Sequence, residues 1–406
     1  MKILFLTTGT FGSINDKGLY PDLLREFTKG GHDVYIVSAR EKREGFKTEL
    51  VDEGMAKHLM VKIGNITKTS FIEKGISTIL ISSQYKRALC KHLVGVKFDL
   101  ILYSTPPITL GSLVSFIKNR DNAITYLILK DIFPQNAVDL NILEKSGLKG
   151  FLYKYFRRVE KQLYNISDYI GCMSQANVDY ILKFNPELDK NRVQICPNSI
   201  EIQNKEISLY KKRQIRDKYG IPGDKLVFVY GGNLGKPQGI PFLIECLKSQ
   251  INNEKAFFLI VGNGTEYKRL SSFFKNENPS NMKLMQRLPK EDYETMIAAC
   301  DIGMIFLDHR FTIPNFPSRL LSYMQAKLPV LAVTDPYTDL GKVIIEGEFG
   351  WWCESNSVKN FREVIHTIFK CDKRVDMGKN GWEYLHNYYT SDRTYRAICN
   401  QIINQK

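Results

Sequence analysis

The chain has 406 residues, 43% hydrophobic and 25% charged, with 23 Phe, 21 Tyr and 3 Trp. That is enough apolar mass for full cores, which excludes disorder as the main state, and the length suits two large domains or three small ones. Lys and Arg number 57 against 43 Asp and Glu, a net +14 spread over both halves; such a surface suits nucleotides, nucleic acid, headgroups or lipid pyrophosphates, or is simply a solvated, Lys-rich one.

In chain order, residues 3–6 read as a buried strand, and Met1-Lys2 run straight into it, so no leader peptide is expected. An amphipathic helix follows at 20–29, with Leu23, Leu24 and Phe27 inward and Gly30-Gly31 ending it. The pattern continues with a strand at 34–37, a helix at 77–93, a strand at 99–103 and the Thr105-Pro106-Pro107 loop. Then come a helix at 110–117, a strand at 124–129, a helix at 148–164, a strand at 169–173, a helix at 175–184 and a strand at 193–195. The charge-free stretch 100–117 nears the length of a membrane span, but Pro106-Pro107 and its Ser and Thr make strand, loop and helix the better reading.

Pro197-Asn198-Ser199 breaks the series, and the charged segment 201–224 reads as helical. A second series follows, with strands at 226–230, 257–261, 283–286, 302–306 and 330–332 and helices between, the first at 239–249. An amphipathic helix at 391–403 is expected to cross back onto the first domain. Unalternating apolar strands between helices imply parallel sheets covered on both faces. The expected fold is α/β, with two doubly wound, Rossmann-like domains facing a central cleft: 1–198 with the returning helix of 388–406, and 199–387. The eight cysteines include no C-x-x-C pair and read as buried free thiols of a reducing cytoplasm.

Ligands of open α/β sheets sit at the carboxyl ends of the strands. The loops there are 7–18, 104–107, 130–135, 231–239, 262–265, 287–289 and 306–318. Gly231-Gly232-Asn233-Leu234-Gly235 lets backbone approach a phosphate, with Lys236 on hand. Pro317-Ser318-Arg319 opens a helix whose amides can meet an anion, with Arg319 as a forked donor. The first loop, Thr8-Gly9-Thr10-Phe11-Gly12-Ser13, lacks the dinucleotide fingerprint, and no acid follows the second strand before Glu41, which argues against a nicotinamide cofactor. There is no Walker A sequence and no D-x-D triplet, so a diphosphate would be met by Lys, Arg and helix dipoles rather than a metal clamp.

Lys130-Asp131-Ile132-Phe133-Pro134 follows the strand at 124–129 directly. Asp131 there can orient or deprotonate a substrate hydroxyl, or cap the next helix. The helix at 148–164 mixes Lys149, Lys154, Arg157, Arg158 and Lys161 with Phe151, Tyr153, Tyr155 and Phe156. Either it lies against headgroups, or it buries its aromatics and solvates its charges.

The order of these motifs resembles the GT-B glycosyltransferases of family 4 over almost the whole chain. The resemblance rests on Gly30-Gly31-His32-Asp33-Val34, Ser174-Gln175, Val193 to Ser199, Tyr230 to Gly235 with Gln238-Gly239, Val261-Gly262-Asn263-Gly264, Cys300-Asp301-Ile302-Gly303, and Pro317 to Met324 with Pro329-Val330. With Thr105-Pro106-Pro107 and Asp131-Ile132-Phe133-Pro134 it is most like the N-acetyl-L-fucosamine transferase branch. The resemblance implies a retaining, metal-independent transferase of capsule or O-antigen synthesis. It would move a sugar, an N-acetylated deoxyhexosamine in that branch, from a UDP-sugar to a polyprenyl-pyrophosphate-linked saccharide.

No cofactor is implied beyond the UDP-sugar substrate, no metal ligands and no nucleic acid. The place is cytoplasmic, peripheral on the inner face of the cell membrane. The donor-binding residues would be Gly232, Asn233, Lys236, Gln238, Gly262, Asn263, Arg287, Leu288, Pro317, Ser318, Arg319 and Ser322, with the nucleobase near Arg287-Leu288-Pro289. The acceptor-binding residues would be Asp16, Lys17, Thr105 and Pro106, and Asp131 with Lys130 would be catalytic.

Departures are specific. The family's E-x7-E glutamates fall on Pro314 and Ser322, and the phosphate-binding Arg and Lys of the commoner pattern fall on Asn233 and Gln238, where the branch also tends to carry Asn and Gln. Two other readings remain: a sugar-nucleotide epimerase, for which the first domain offers mainly Asp16 and Asp131, and a non-catalytic sugar-nucleotide-binding subunit, favoured by the missing glutamates.

Overall fold

The structure, a computed structural model, describes every residue except Thr10, Lys205 and 404–406. The chain divides into two compact units, Met1–Glu201 with Thr390–Lys406, and Ile202–Tyr389.

In the first unit β1 (Lys2–Leu6) is followed by α1 (Leu19–Lys29), β2 (Asp33–Glu41), β3 (Glu49–Asp52), β4 (Ala56–Ile63), α2 (Phe71–His92), β5 (Leu100–Ser104) and α3 (Gly111–Asp121). Next come β6 (Ile124–Leu129), α4 (Gln135–Asp139), α5 (Gly147–Ile166), β7 (Tyr169–Cys172), α6 (Gln175–Phe184) and β8 (Val193–Ile195). The strands form one sheet in the order β3-β4-β2-β1-β5-β6-β7-β8. Residues Ile3 to Leu6 and Leu100 to Tyr103 are buried on both faces of its centre, which explains why these strands read as unbroken apolar runs.

This sheet corrects the expectation of a purely parallel one. β3 and β4 were not foreseen, and β3 pairs with β4 antiparallel, Leu50 opposite Leu59. The apolar signal is weak there because β3 is a largely exposed edge strand and β4 carries a buried His58.

The second unit begins with α7 (Leu209–Tyr219), β9 (Leu226–Asn233), α8 (Ile240–Lys248), β10 (Ala256–Asn263), α9 (Tyr267–Glu277), β11 (Met282–Met285), α10 (Lys290–Ile297) and β12 (Ile302–Phe306). It continues with α11 (Arg319–Gln325), β13 (Val330–Thr334), α12 (Leu340–Glu346), β14 (Gly350–Glu354), α13 (Val358–Lys370) and α14 (Arg374–Tyr388). Its sheet is parallel, in the order β11-β10-β9-β12-β13-β14. The long helix expected over 201–224 is only α7: the Ser208 side chain caps its start by accepting from Lys211 N, and Gly220, with φ 61°, ends it. Asp301 then ties α7 to the sheet, pairing with Lys212 and Arg216 at 2.7 Å each and accepting from Val227 N at 2.8 Å.

The last helix, α15 (Ser391–Ile403), belongs to the first unit. Its Tyr395 ring meets Phe27 of α1 edge-on, with centroids 4.9 Å apart. Gly30 has no Cβ, and the Tyr395 hydroxyl occupies the space one would need. Six of the eight cysteines are buried and all are free.

Candidate functional site

In the second unit β9 and β10 run in register into two glycine turns, Gly232 opposite Gly262 and Asn233 opposite Asn263. A Cβ on Gly262 would strike the carbonyl oxygen of Gly232, and one on Gly264 the carbonyl of Leu234, so the backbones touch. Gly232 has φ 120°, a conformation that other residues rarely adopt. The turn is held from within: Gln238 Oε1 accepts from Gly235 N at 3.1 Å and from Asn233 Nδ2 at 3.2 Å. Two predicted donor residues, Asn233 and Gln238, are therefore bonded to each other. Gly231 N donates to the hydroxyl of Tyr323 at 3.2 Å, a ring for which Gly303 leaves room.

Arg319, the first residue of α11, reaches this turn. Its guanidinium carbon lies 4.5 Å from the Tyr230 ring centroid, and a Cβ on Gly232 would stand 3.7 Å from it. Nη1 of Arg319 is buried and has no hydrogen-bond partner among the described residues. Burying an N–H without an acceptor costs about 1–3 kcal/mol, so this atom is poised for one. Lys236 is exposed on the turn, Ser318 is exposed, and Pro317 and Ser322 are half-buried beside Arg319. Arg287 is exposed and Leu288 half-buried in the loop after β11, and no bond joins them to the glycine turns among the described residues.

One pair was missed by sequence reasoning. Arg310 grips Asp308 with two bonds of 2.8 Å, and Asp308 N donates to Pro237 O at 3.0 Å, which ties the loop after β12 to the Lys236 turn. Burial opposes ionisation of Asp308, yet the Arg310 bonds hold its carboxyl below the ordinary range.

In the first unit three loops meet at the edge of the sheet. The Thr105 hydroxyl accepts from Lys130 N at 3.0 Å and Asp131 N at 3.3 Å, fixing the turn after β6. Thr8 Oγ1 donates to Pro106 O at 3.2 Å, and the Lys130 ammonium sits 4.1 Å from the Tyr20 ring centroid. Thr105, Pro106, Lys130 and Asp131 are thus brought together. Burial pushes the Asp131 carboxyl above its ordinary range, with Lys130 opposing. The helix-cap alternative for Asp131 fails, because α4 begins after Pro134 and has no side-chain cap.

Asp16 and Lys17 have other surroundings. Asp16 Oδ2 accepts from Gly12 N at 2.8 Å and Ser13 N at 3.1 Å, so it folds its own loop; Lys17 is exposed, and Thr10 lies outside the described residues. The rest of this loop is held by residues that the sequence did not single out. Arg25 donates to Ile14 O at 2.6 Å and Asp16 O at 2.8 Å and pairs with Asp22 at 2.6 Å. Glu53 Oε2 accepts from Ser13 Oγ at 2.6 Å and Ile14 N at 2.7 Å, while its Oε1 lies 3.0 Å from His58 Nδ1. His58 Nε2 is 2.7 Å from Ser38 Oγ, and Phe11 stacks on the imidazole with centroids 5.1 Å apart. Ser38 is 1% and His58 0% exposed, so this Ser-His-Glu chain is sealed from any substrate and works as a fastener. Burial keeps the His58 pKa below its ordinary value, with Glu53 opposing.

α5 leaves Phe151, Leu152 and Tyr155 exposed at 73%, 38% and 48%, among exposed Lys154 and Arg158, which corrects the reading in which its aromatics are buried. Phe156 turns inward onto Phe133, with centroids 5.0 Å apart. Among the described residues no helix is long and apolar enough to cross a membrane, and no group of three or more His, Cys, Asp or Glu could hold a metal ion.

These features can be set beside known proteins. Residues 211–384 match the family described as Glycosyl transferases group 1. The "Probable glycosyltransferase WbjE" of Pseudomonas aeruginosa is 25% identical over 313 residues, covering 77% of this chain and 76% of that one. Among solved structures, HepE of Anabaena in complex with UDP-glucose superposes with a TM-score of 0.72 at 14% identity over 100% of both chains. Sucrose-phosphate synthase of Thermosynechococcus elongatus gives a TM-score of 0.77 at 14% identity, covering 100% of this chain and 98% of that one. The fold is the two-domain GT-B architecture, and the family match and the named relatives support a glycosyltransferase.

Proposed function

We propose that the protein is a retaining, metal-independent glycosyltransferase that moves a sugar from a UDP-sugar to a polyprenyl-pyrophosphate-linked saccharide. One observation carries the reading: the half-buried Arg319 guanidinium, whose Nη1 is sealed from water and unpartnered among the described residues, beside glycine turns that admit close backbone approach. A diphosphate oxygen supplies the missing acceptor. The UDP-glucose complex of HepE supports the donor class. The N-acetylated deoxyhexosamine and the surface-polysaccharide setting rest on the resemblance to the fucosamine-transferase branch.

The transfer then proceeds as follows. The acceptor hydroxyl oxygen bonds to the anomeric carbon on the face that the diphosphate leaves. The bond from that carbon to the β-phosphate oxygen breaks, its electron pair goes to UDP, and the hydroxyl proton passes to the departing phosphate. Arg319, with Lys236, meets the charge that develops on UDP; Asp131 orients the hydroxyl. No cofactor enters.

Incubation with a panel of UDP-sugars and a polyprenyl-pyrophosphate-linked saccharide, followed by mass spectrometry and NMR of the products, tests the reading. A glycoside with retained anomeric configuration, formed equally in EDTA, is the expected result. An epimerised sugar nucleotide would make the protein an isomerase, and no product with intact UDP binding would make it a binding subunit.

A lipid-linked acceptor stays in the bilayer, so the protein works from the cytoplasmic membrane face in this reading. The exposed Phe151, Leu152 and Tyr155 with Lys154 and Arg158 support docking by α5. Each cation near an anionic surface contributes about 1 kcal/mol, which high salt removes. Flotation should therefore need anionic vesicles and low salt, and should weaken when Lys154 and Arg158 are changed to Glu.

A further inference from the structure

Arg319 does not stand at the glycine turn unaided. Tyr230, the last side chain of β9 before Gly231-Gly232, lies under the guanidinium at 4.5 Å. Its ring is 0% exposed, so the cation faces it without intervening water. Its hydroxyl donates to Asn233 O at 2.9 Å, across the same turn. The neighbours close the alternatives. Tyr323 Oη is engaged with Gly231 N, Val229 O and Met304 O at 3.1–3.2 Å. Tyr293 fills the volume that a Cβ on Gly231 would need. Neither supplies Arg319 Nη1 with a hydrogen-bond acceptor.

We infer that Tyr230 is a positioning residue for the donor. Its ring face holds the guanidinium over Gly232, so that the Nη1 N–H donors stay open for an anion, and its hydroxyl keeps the turn in the shape that the anion enters. A carboxylate in the place of the ring would hold Arg319 as firmly but would occupy Nη1; the ring face and hydroxyl of Tyr230 engage the guanidinium and leave Nη1 open. The donor's diphosphate therefore meets a half-buried cation whose Nη1 is desolvated yet uncommitted. The inference rests on the donor reading above.

The test uses the full chain and calorimetric titration of UDP, with uridine as the phosphate-free control. Tyr230→Phe keeps the ring and serves as the baseline. Stepwise fluorination of a phenylalanine installed at position 230 drains the negative ring face with little change of shape. The expected result is a UDP Kd that rises with each fluorine, reaching on the order of tenfold at three fluorines. Uridine affinity stays constant through the series, and the melting temperature does not follow ring charge. A UDP Kd that is flat across the series, while Arg319→Ala binds UDP more weakly than wild type, overturns the role of Tyr230 and leaves the donor site standing. Equal UDP affinity in wild type and Arg319→Ala overturns the donor reading and this inference with it. Tyr230→Leu, which removes ring and hydroxyl, should weaken UDP at least as much as full fluorination; if it fails to fold, the fluorinated series still decides.

Discussion

The two sheet edges treat charge in opposite ways. At the edge of the first unit the ionised groups are engaged with their own scaffold: Asp16 with the amides of Gly12 and Ser13, Glu53 with Ser13, Ile14 and His58, and Lys130 with the Tyr20 ring. At the edge of the second unit the half-buried Arg319 lies against an aromatic face with its Nη1 sealed from water and left over. The first arrangement shapes a surface with almost no unmet demand, which suits an acceptor recognised by fit. The second keeps an unmet demand in place, which suits an anion recognised by charge. Asp131 is the exception at the first edge, a carboxyl raised by burial, with Lys130 opposing through space and no side-chain hydrogen bond to it among the described residues.

That exception gives the largest expected effect. If Asp131 orients the acceptor hydroxyl, Asp131→Asn should lower turnover by about 10²–10⁴-fold and leave UDP affinity unchanged. The wild-type rate should also fall on acidification at a higher pH than an ordinary carboxylate would give, because the raised pKa protonates this group earlier. Near-normal turnover of the Asn variant would return Asp131 to the scaffold with its neighbours.

The next effect separates the two cations at the other edge. Losing the charge-assisted contact of the sealed Nη1 in Arg319→Ala should weaken UDP binding by about one to two decades, whereas the exposed Lys236→Ala should cost under one decade. Equal losses in calorimetry would mean that burial does not distinguish them.

A smaller effect concerns the fastener. Removing the Glu53 side chain leaves Ile14 N and His58 Nδ1 without their acceptor, and urea unfolding of Glu53→Ala should show about 1–3 kcal/mol of lost stability. His58 carries the pH dependence. Its folded pKa lies below the ordinary 6.5, so on acidification the unfolded chain takes up a proton that the folded one resists. This contribution to stability is whole above that value and is lost as pH falls below it. The acid loss should be shallower in His58→Gln than in wild type, and parallel curves would count against a buried neutral imidazole. Smallest of all, Asp16→Asn keeps an acceptor for the loop amides and should change stability by less than about 0.5 kcal/mol in the same assay.

The strands at the sheet centres, such as β1, β6, β9 and β12, were legible because burial on both faces leaves runs like Ile3-Leu4-Phe5-Leu6. β3 and β4 were not, since an exposed edge strand and a buried histidine look like loop until their partners are known. The same divide runs through the candidate site. The glycine turn and Arg319 stand in local sequence, and Gly-Gly before a basic residue is a readable signal. The pairing of Glu53 with His58, the grip of Arg310 on Asp308 and the stacking of Arg319 on Tyr230 are set by register and by helix placement. Short-range pattern holds no record of either. Asn233 and Gln238 were legible as turn residues, but their bond to each other appears only when the turn is built.

The return of α15 to the first unit has a consequence for synthesis on the ribosome. α1 emerges before the second unit is begun, yet Tyr395, whose hydroxyl fills the space that Gly30 leaves open, is made only after that unit is complete. The first unit must therefore wait through translation of the whole second unit with Phe27 incompletely covered, a window in which chaperones or misassembly can act. A nonsense codon or a clipped tail before 391 would leave the second unit's own residues complete. The damage would appear in the first unit, on a helix made before the second unit was begun.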